Sequence, residues 1–194
     1  SAQQPLYLVV SLDVEEEGLF GGHYARRGFS TRNTASLNTL EPFCSMGIRP
    51  TLFCAHSVLA DPASCESLAM LRDRHHAEIG ANLHHWNTPP LTLDGSDNTL
   101  PDTADRVPAA AVSDTLFSAK LATLMEAGRA LQGQPMTSFR MGRWDLHRSH
   151  WPLLAAAGIL CDASVRPLHS AASAMLGPDH FDAPGNPYWV ATGQ

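Results

Sequence analysis

The chain is poor in positive charge. Lysine and arginine together number 13 of 194 residues, Lys120 is the single lysine, and the formal net charge is −6. Nucleic-acid-binding surfaces need clustered positive charge. We therefore expect no nucleic-acid partner.

Cysteines and long apolar runs are also scarce. The four cysteines, Cys44, Cys54, Cys65 and Cys161, show no Cys-x-x-Cys spacing and are too few for a disulfide scaffold. No apolar run approaches the ~20 residues that a bilayer-spanning helix needs, and the N-terminus lacks a basic-then-apolar signal pattern. These absences predict a cytoplasmic protein with reduced thiols and no integral membrane segment, although an exported chain after signal removal would show the same N-terminus.

Two common catalytic motifs are missing as well. The sequence has neither a glycine-rich phosphate loop nor a Gly-x-Ser-x-Gly elbow, which disfavours nucleotide-dependent enzymes and serine hydrolases. What is present is an ordinary globular composition, with 44% hydrophobic and 16% charged residues. Length and composition together predict one domain over residues 1–194.

An apolar run near the N-terminus ends in acidic residues. Residues 6–12 are apolar and rich in β-branched and aromatic side chains, which predicts a strand buried on both faces. Asp13 and Glu15 follow and point to the same side of an extended backbone. Two such carboxylates can bind a cation together, or divide into a base and a ligand. We interpret Glu16 and Glu17 as the acids of a solvated loop.

Strand and helix patterns alternate along the rest of the chain. The predicted strands cover residues 49–55, 76–83, 136–141 and 159–162, with irregular strand pieces near 188–190, and the predicted helices cover 33–46, 64–74, 113–131 and 148–157. Residues 18–32 and 92–108 are predicted loops, and His23 in the first is a candidate substrate contact. Alternation of this kind predicts a parallel sheet or barrel.

Ionisable side chains follow four of the predicted strands. They are Asp13 and Glu15, His84 and His85, Arg140 and Arg143, and Asp162. Because the carboxyl ends of parallel strands converge on one mouth, we expect these side chains to lie together. Carboxylate with imidazole suits zinc or another transition metal better than calcium, and a nearby arginine keeps a carboxylate ionised. Taken singly, His84 could instead be a core histidine, and Arg140 could be the partner of a structural Asp162.

Five short motifs occur in a characteristic order. They are Ser11-Leu-Asp13-Val-Glu15, Pro50-Thr-Leu-Phe, Glu78-Ile-Gly80-x-Asn82-x-His84, Ser138-Phe-Arg140-x-Gly-Arg143-Trp144 and Asp162-Ala-Ser164-Val. The ordered set resembles the polysaccharide deacetylases with a NodB homology domain. It is most similar to the branch with an Asp-Val-Glu first motif and a His-x-Trp-Asn-Thr-Pro-Pro second motif, and it covers about residues 6–189.

The resemblance implies both a fold and an activity. The implied fold is α/β, a distorted parallel (β/α) barrel. The implied activity is that of a metal-dependent hydrolase, which removes acetyl groups from N- or O-acetylated sugars of a cell-envelope or surface polysaccharide or its precursor. The implied partner is thus an acetylated carbohydrate, and the implied cofactor is a divalent metal, with zinc expected.

The resemblance also implies a role for individual residues. Asp13 would be the catalytic base, and Glu15 and His84 would be metal ligands. Arg140 would orient Asp13, supported by Asp162. The implied sugar site is lined by Arg143 and Trp144, and Trp86 is a further candidate for stacking on a sugar ring, although aromatic residues at a barrel mouth are as often core or lid packing.

Two features depart from the family pattern. Asn82 stands where the family usually has His, and an amide oxygen is a poorer zinc ligand than imidazole. His85 could replace it, although on an extended backbone it would face away from His84. Members typically continue to a late Leu and His motif whose His is the general acid. Here the chain ends at Gln194 with only His169 and His180 as replacements, so the barrel could be incomplete at the C-terminus.

These departures keep two other functions open. One is a deacetylase-like carbohydrate-binding or scaffold protein that has lost catalysis. The other is a hydrolase of the same kind acting on a cyclic or linear amide that is not a sugar. Metal content, acetate release and substrate profiling separate the three.

Overall fold

A parallel five-stranded sheet forms the centre of the protein. The computed structural model describes residues 7–22, 24–92, 108–172 and 176–192. The strands are β1 (Ser11–Val14), β2 (Thr51–Ala55), β3 (Glu78–Leu83), β4 (Ser138–Met141) and β5 (Cys161–Asp162), and they lie side by side in chain order. All four pairings are parallel. Leu6, His23 and residues 93–107 of the predicted second loop lie outside the described residues.

Helices connect the strands as the alternation predicts. The α-helices are α1 (Glu41–Ser45), α2 (His56–Leu59), α3 (Pro62–His75), α4 (Asp114–Gln132) and α5 (Trp151–Ala156). Short 3-10 helices cover Leu19–Gly21, Arg32–Leu40, Ala109–Ala111, Gly142–Trp144 and Arg148–His150. The predicted helix over 33–46 is therefore a 3-10 helix that continues into α1. No helix among the described residues combines the length and apolar character needed to cross a membrane.

Capping side chains determine where the two long helices begin. The Asp61 carboxylate accepts a hydrogen bond from the Ser64 backbone N–H at 2.8 Å, so α3 begins two residues before the prediction, with Pro62 in its first turn. Ser113 accepts from the Leu116 N–H at 3.3 Å at the start of α4, where the predicted helix also begins. Gly133, with φ of 72°, ends α4 in the left-handed conformation.

The hydrophobic core fills one face of the sheet. Alternate strand residues face α3 and α4 there, and the buried set includes Leu52, Cys54, Ile79, Ala81, Leu83, Phe139 and Met141 from the strands and Leu68, Leu71, Phe117, Leu121 and Leu124 from the helices. The other residues of the same strands, among them Asp13, Asn82 and Arg140, therefore face the opposite side. One face of the sheet is thus structural, and the other holds the polar groups.

The start of the first strand differs from the prediction. Tyr7, Leu8 and Val9 are 81%, 77% and 83% exposed, and β1 begins only at Ser11. β1 is an edge strand whose described neighbour is β2, and no second strand or helix of the described ranges covers the residues before it. The predicted burial of this run on both faces is wrong for these three residues.

The described part of the chain is a curved sheet whose closure into a barrel is not seen. β1 and β5 form its two edges, and they are not paired with each other in the described ranges. The pieces predicted as irregular strands near 188–190 carry no strand assignment, and the C-terminal region contributes one antiparallel bridge between Ser170 and Asp179. The α/β class and the parallel strand order agree with the prediction, and the barrel stays an expectation.

Candidate active site

An ion pair spans the polar face of the sheet. Arg140 on β4 donates from one terminal nitrogen to Asp13 Oδ1 and from the other to Ser11 Oγ on β1, both at 2.8 Å. Its guanidinium lies 4.3 Å from the centre of the Phe53 ring on β2. In a flat sheet three strand spacings, about 14 Å, would separate β4 from β1, further than the Arg and Asp side chains reach together. The sheet must therefore curve around this face, and Asp13 lies on its concave side.

The ionisation of Asp13 is set by opposing effects. Burial raises the pKa of its carboxyl, the hydrogen bond and positive charge of Arg140 lower it, and the neighbouring charge of Glu15 raises it. The net result is a pKa above the ordinary value. Asp13 can therefore accept a proton more readily than a solvated aspartate, while Arg140 fixes its orientation.

His84 lies between two glutamates directly after β3. Its Nε2 is 3.2 Å from Glu15 Oε2, and its Nδ1 is 3.0 Å from Glu16 Oε1. The ring is fully buried. Burial alone would lower the pKa of His84, but the two carboxylates outweigh it and raise the pKa to about 9. The predicted pair of Glu15 and His84 is thus brought into contact.

Glu16 contradicts its interpretation as a solvated acid. It is 3% exposed, and its carboxylate accepts hydrogen bonds from Ser57 Oγ and Asn87 Nδ2, each at 2.6 Å, in addition to its contact with His84. Burial would raise its pKa, but the charge of His84 and these hydrogen bonds lower it to about 2. Strand alternation does not reveal this burial, because β1 ends at Val14 and the partners of Glu16 are distant in the chain.

Three side chains offer metal-ligand atoms on the polar face. Glu15 Oε2 and His84 Nε2 are separated by about the distance expected for two ligands of one zinc ion, given metal–ligand bonds near 2.0–2.2 Å. Asn82, two residues before His84 on β3, is buried, and its Oδ1 has no hydrogen-bond partner. Alternation puts Asn82 on the same face as His84. Among the described residues, however, no group of three His, Cys, Asp or Glu side chains could hold a metal.

His85 and Trp86 are buried beside the site. The Trp86 ring stacks on His84, with ring centres 4.3 Å apart, and His85 lies edge-on to Trp86 at 5.2 Å. Trp86 is only 3% exposed. The predicted stacking of Trp86 on a sugar is therefore wrong, because its ring is covered by protein and supports His84 instead. His85 as a replacement metal ligand stays a prediction.

Gly142 allows this stack to approach β4 closely. A Cβ atom at this position would lie 2.6 Å from His84 Cδ2 and 3.0 Å from the Trp86 ring. Both distances are shorter than ordinary van der Waals contact. The glycine after β4 is therefore required by packing against the His84 ring.

The residues after Gly142 have an unusual backbone. Arg143 and Trp144 have φ of 59° and 60°, a region that non-glycine residues rarely adopt and that is frequent at functional sites. Trp144 is half-buried and lies 4.7 Å from the guanidinium of Arg140 and 5.8 Å from that of Arg166. Arg143 lies over the Tyr24 ring at 5.2 Å. The structure thus puts Trp144 next to the Arg140 guanidinium that holds Asp13.

Asp162 does not contact Arg140 directly. Its Oδ1 accepts hydrogen bonds from the backbone and hydroxyl of Ser164, and its Oδ2 accepts from Trp151 Nε1 at 3.1 Å. The link to Arg140 runs through the backbone, since Arg140 Nε donates to the carbonyl of Ala163 at 3.2 Å. Any support of Arg140 by Asp162 therefore runs through the turn at residues 162–164.

The two histidines considered as replacements for a late general acid have other contacts. His180 is buried, its Nε2 lies 3.0 Å from the carbonyl of Leu146, and its Nδ1 accepts a hydrogen bond from the backbone of Arg166. Both of its ring nitrogens are therefore engaged with the backbone. His169 is exposed and lies 3.2 Å from Arg166. Neither contact includes Asp13, Glu15 or His84.

Comparison with known proteins leaves the function of this site open. No protein-family model matches the chain, and no curated protein matches it. Among solved structures, it is similar to one described as a candidate polysaccharide deacetylase from Mycobacterium smegmatis, at 18% identity and a TM-score of 0.49. The similarity covers 81% of this chain and 50% of the other, so this chain spans about half the length of that structure. A likeness at this level assigns no activity.

The geometry itself defines what the site can do. A carboxylate held by arginine lies on the same concave face as the Glu15 and His84 pair, in which the imidazole Nε2 makes no hydrogen bond of good geometry. Such an arrangement can bind a cation at Glu15 and His84 and can move a proton at Asp13.

Proposed function

We propose that the protein is a metal-dependent hydrolase that removes acetyl groups from N- or O-acetylated sugars of a cell-envelope or surface polysaccharide or its precursor. The observation that carries the proposal is the 3.2 Å approach of Glu15 Oε2 to His84 Nε2 beside the Asp13 and Arg140 ion pair. The choice of an acetylated carbohydrate as substrate rests on the order of the five sequence motifs.

The metal would be held by Glu15 and His84, with the unpartnered amide oxygen of Asn82 as a third donor. A set of carboxylate, imidazole and amide oxygen suits a divalent ion, and the imidazole favours zinc over magnesium or calcium. When bound, such an ion polarises a carbonyl oxygen and lowers the pKa of water. Asn82 predicts weaker zinc binding than a second histidine would provide.

Asp13 is the proposed general base. Its side chain is 28% exposed, so a substrate can approach it, and Arg140 binds its Oδ1. The other carboxylate oxygen would then take the proton from the attacking water. Trp144 and Arg143 would lie against the sugar, with the indole offering an apolar surface to the ring.

The proposal is tested by acetate release. Purified protein supplied with zinc is incubated with N-acetylglucosamine oligosaccharides and, separately, with an O-acetylated glycan. We expect turnover that Asp13→Asn lowers at least about 100-fold, the contribution typical of a general base, while zinc content and fold stay unchanged. Glu17→Gln, an exposed acid four residues away, is the matched control and should retain full activity. Normal turnover in Asp13→Asn would remove Asp13 from the mechanism.

A second candidate is a deacetylase-like protein that binds carbohydrate without hydrolysing it. Asn82 in place of a histidine, and the lack of three His, Cys, Asp or Glu ligands among the described residues, favour this alternative. One equivalent of zinc bound at micromolar concentration, together with acetate release, would exclude it. Glycan binding with neither zinc nor acetate would support it.

A further inference from the structure

The Glu16 carboxylate has three side-chain partners beside the proposed metal site. Its Oε1 accepts from Asn87 Nδ2 at 2.6 Å and lies 3.0 Å from His84 Nδ1. Its Oε2 accepts from Ser57 Oγ at 2.6 Å. These partners come from separate parts of the chain, because Ser57 lies in α2 and Asn87 lies in the loop after β3. The carboxylate is therefore held from several sides and has little freedom to move.

The hydrogen-bond chemistry of this group determines which His84 nitrogen carries a proton. The amide nitrogen of Asn87 can only donate, so Oε1 must act as an acceptor. His84 Nδ1, at 3.0 Å from the same oxygen, must then be the donor. His84 Nε2 lies 3.2 Å from Glu15 Oε2 but makes no hydrogen bond of good geometry, whereas Nδ1 does, so in a neutral imidazole the proton belongs on Nδ1 and the lone pair on Nε2.

We infer that Glu16 is a positioning residue, which holds the His84 ring with Nδ1 protonated and presents Nε2 as a ligand beside Glu15. This inference rests on the proposed function, in which Glu15 and His84 bind the metal. A carboxylate that accepts the second ring N–H of a ligating histidine fixes the tautomer and the orientation of the ring. The Trp86 ring stacks on the face of the His84 ring and so fixes the plane of the imidazole.

The tautomer is the measurement that separates this role from a structural one. Ring ¹⁵N NMR on the metal-free wild type, at a pH where the imidazole is neutral, distinguishes Nδ1–H from Nε2–H, and His84→Ala identifies the signals. We expect Nδ1–H for His84. A signal showing Nε2–H would overturn the inference, whatever the protein's affinity for metal.

A variant then tests the consequence for the metal. Glu16→Gln keeps the shape of the side chain but removes its charge, and we expect zinc affinity by calorimetric titration to fall about 10- to 100-fold. Glu17→Gln is the matched control, because it removes the same charge one residue away at an exposed position. Equal zinc affinity in the two variants would also overturn the inference.

Two further readouts keep the result unambiguous. If Glu16→Gln does not fold, as judged by circular dichroism, Ser57→Ala removes one donor to Glu16 and should show a smaller loss of zinc affinity; unchanged affinity in that variant contradicts the inference. If the wild type itself binds no zinc, the proposed function fails. The NMR tautomer of His84 still decides the role of Glu16 in that case.

Discussion

At the scale of single residues, the site depends on the close packing of the backbone against the His84 ring as much as on charge. Gly142 is the clearest case, because an added methyl group would lie 2.6 Å from the His84 ring. Its φ is not positive, so an alanine would be accepted by the backbone and would act through its close contacts with His84, Trp86 and the Leu83 carbonyl oxygen. The His84 ring would have to shift, which would disturb its contacts with Glu15 and Glu16.

We predict that Gly142→Ala weakens zinc binding about 10-fold or more, the range seen when support of a ligating histidine is lost. The protein should remain folded. Gly185→Ala is the matched control, since a methyl group there meets no atom within 4 Å. Calorimetric zinc titration of both variants checks the prediction, and wild-type affinity in Gly142→Ala would show that the ring adjusts without cost.

At the scale of elements, one buried lysine joins α4 to the loop that follows β3. Lys120 Nζ donates to the carbonyls of Thr88 and Pro90 at 2.7 and 2.8 Å, and the side chain is 1% exposed. Burial lowers the pKa of Lys120 to about 8. Asn87, which binds Glu16, belongs to the same loop. The single lysine therefore helps to hold the segment that supports His84.

This lysine predicts a pH dependence of stability. Its pKa is about 8 in the folded protein and about 10.4 in an unfolded chain, so the unfolded state binds more protons between these values. Its contribution must therefore make the free energy of unfolding rise as pH increases from about 8 to 10.4. The hydrogen bonds from Lys120 to the two carbonyl oxygens favour the charged amine. They limit the rise in the free energy of unfolding to about 1 to 3 kcal/mol.

Urea unfolding of the wild type and of Lys120→Met at pH 7.5, 9 and 10.5 measures the contribution of Lys120 to the free energy of unfolding. The difference in unfolding free energy between the two proteins should shift in favour of the wild type as pH rises. Other groups that titrate in this range affect both proteins and cancel in the difference. A difference that stays constant with pH would mean that Lys120 has an ordinary pKa.

At the scale of the whole molecule, the sequence predicts the order of strands and helices better than it predicts the contacts between distant side chains. The alternation of strands and helices, the caps at Ser113 and Gly133 and the convergence of Asp13, Glu15 and Arg140 follow from local rules. The role of Glu16 does not, because its burial depends on Ser57 and Asn87, which are 41 and 71 residues away. The exposure of Tyr7 likewise depends on which strands and helices pack beside β1. The apolar character of its side chain does not determine those elements.

The site also predicts how the whole protein responds to metal. Glu15, His84 and Asn82 come from two strands that are not neighbours, since β2 lies between β1 and β3, so an ion bound to them links separate parts of the sheet. A ligand that binds only the folded state adds about 2.7 kcal/mol to the free energy of unfolding at 100 times its Kd. We therefore expect zinc to raise the unfolding temperature and EDTA to reverse the shift.

The control for that experiment must allow for the unfolded chain, which contains ten histidines and four cysteines that also bind zinc. Binding to the unfolded state reduces the shift, so its size alone is not decisive. His84→Ala removes one proposed ligand and leaves the zinc affinity of the unfolded chain almost unchanged. A zinc-dependent shift in the wild type that disappears in His84→Ala locates the ion at this site. Equal shifts in both proteins would place the bound zinc elsewhere and would leave the pair of Glu15 and His84 without a metal.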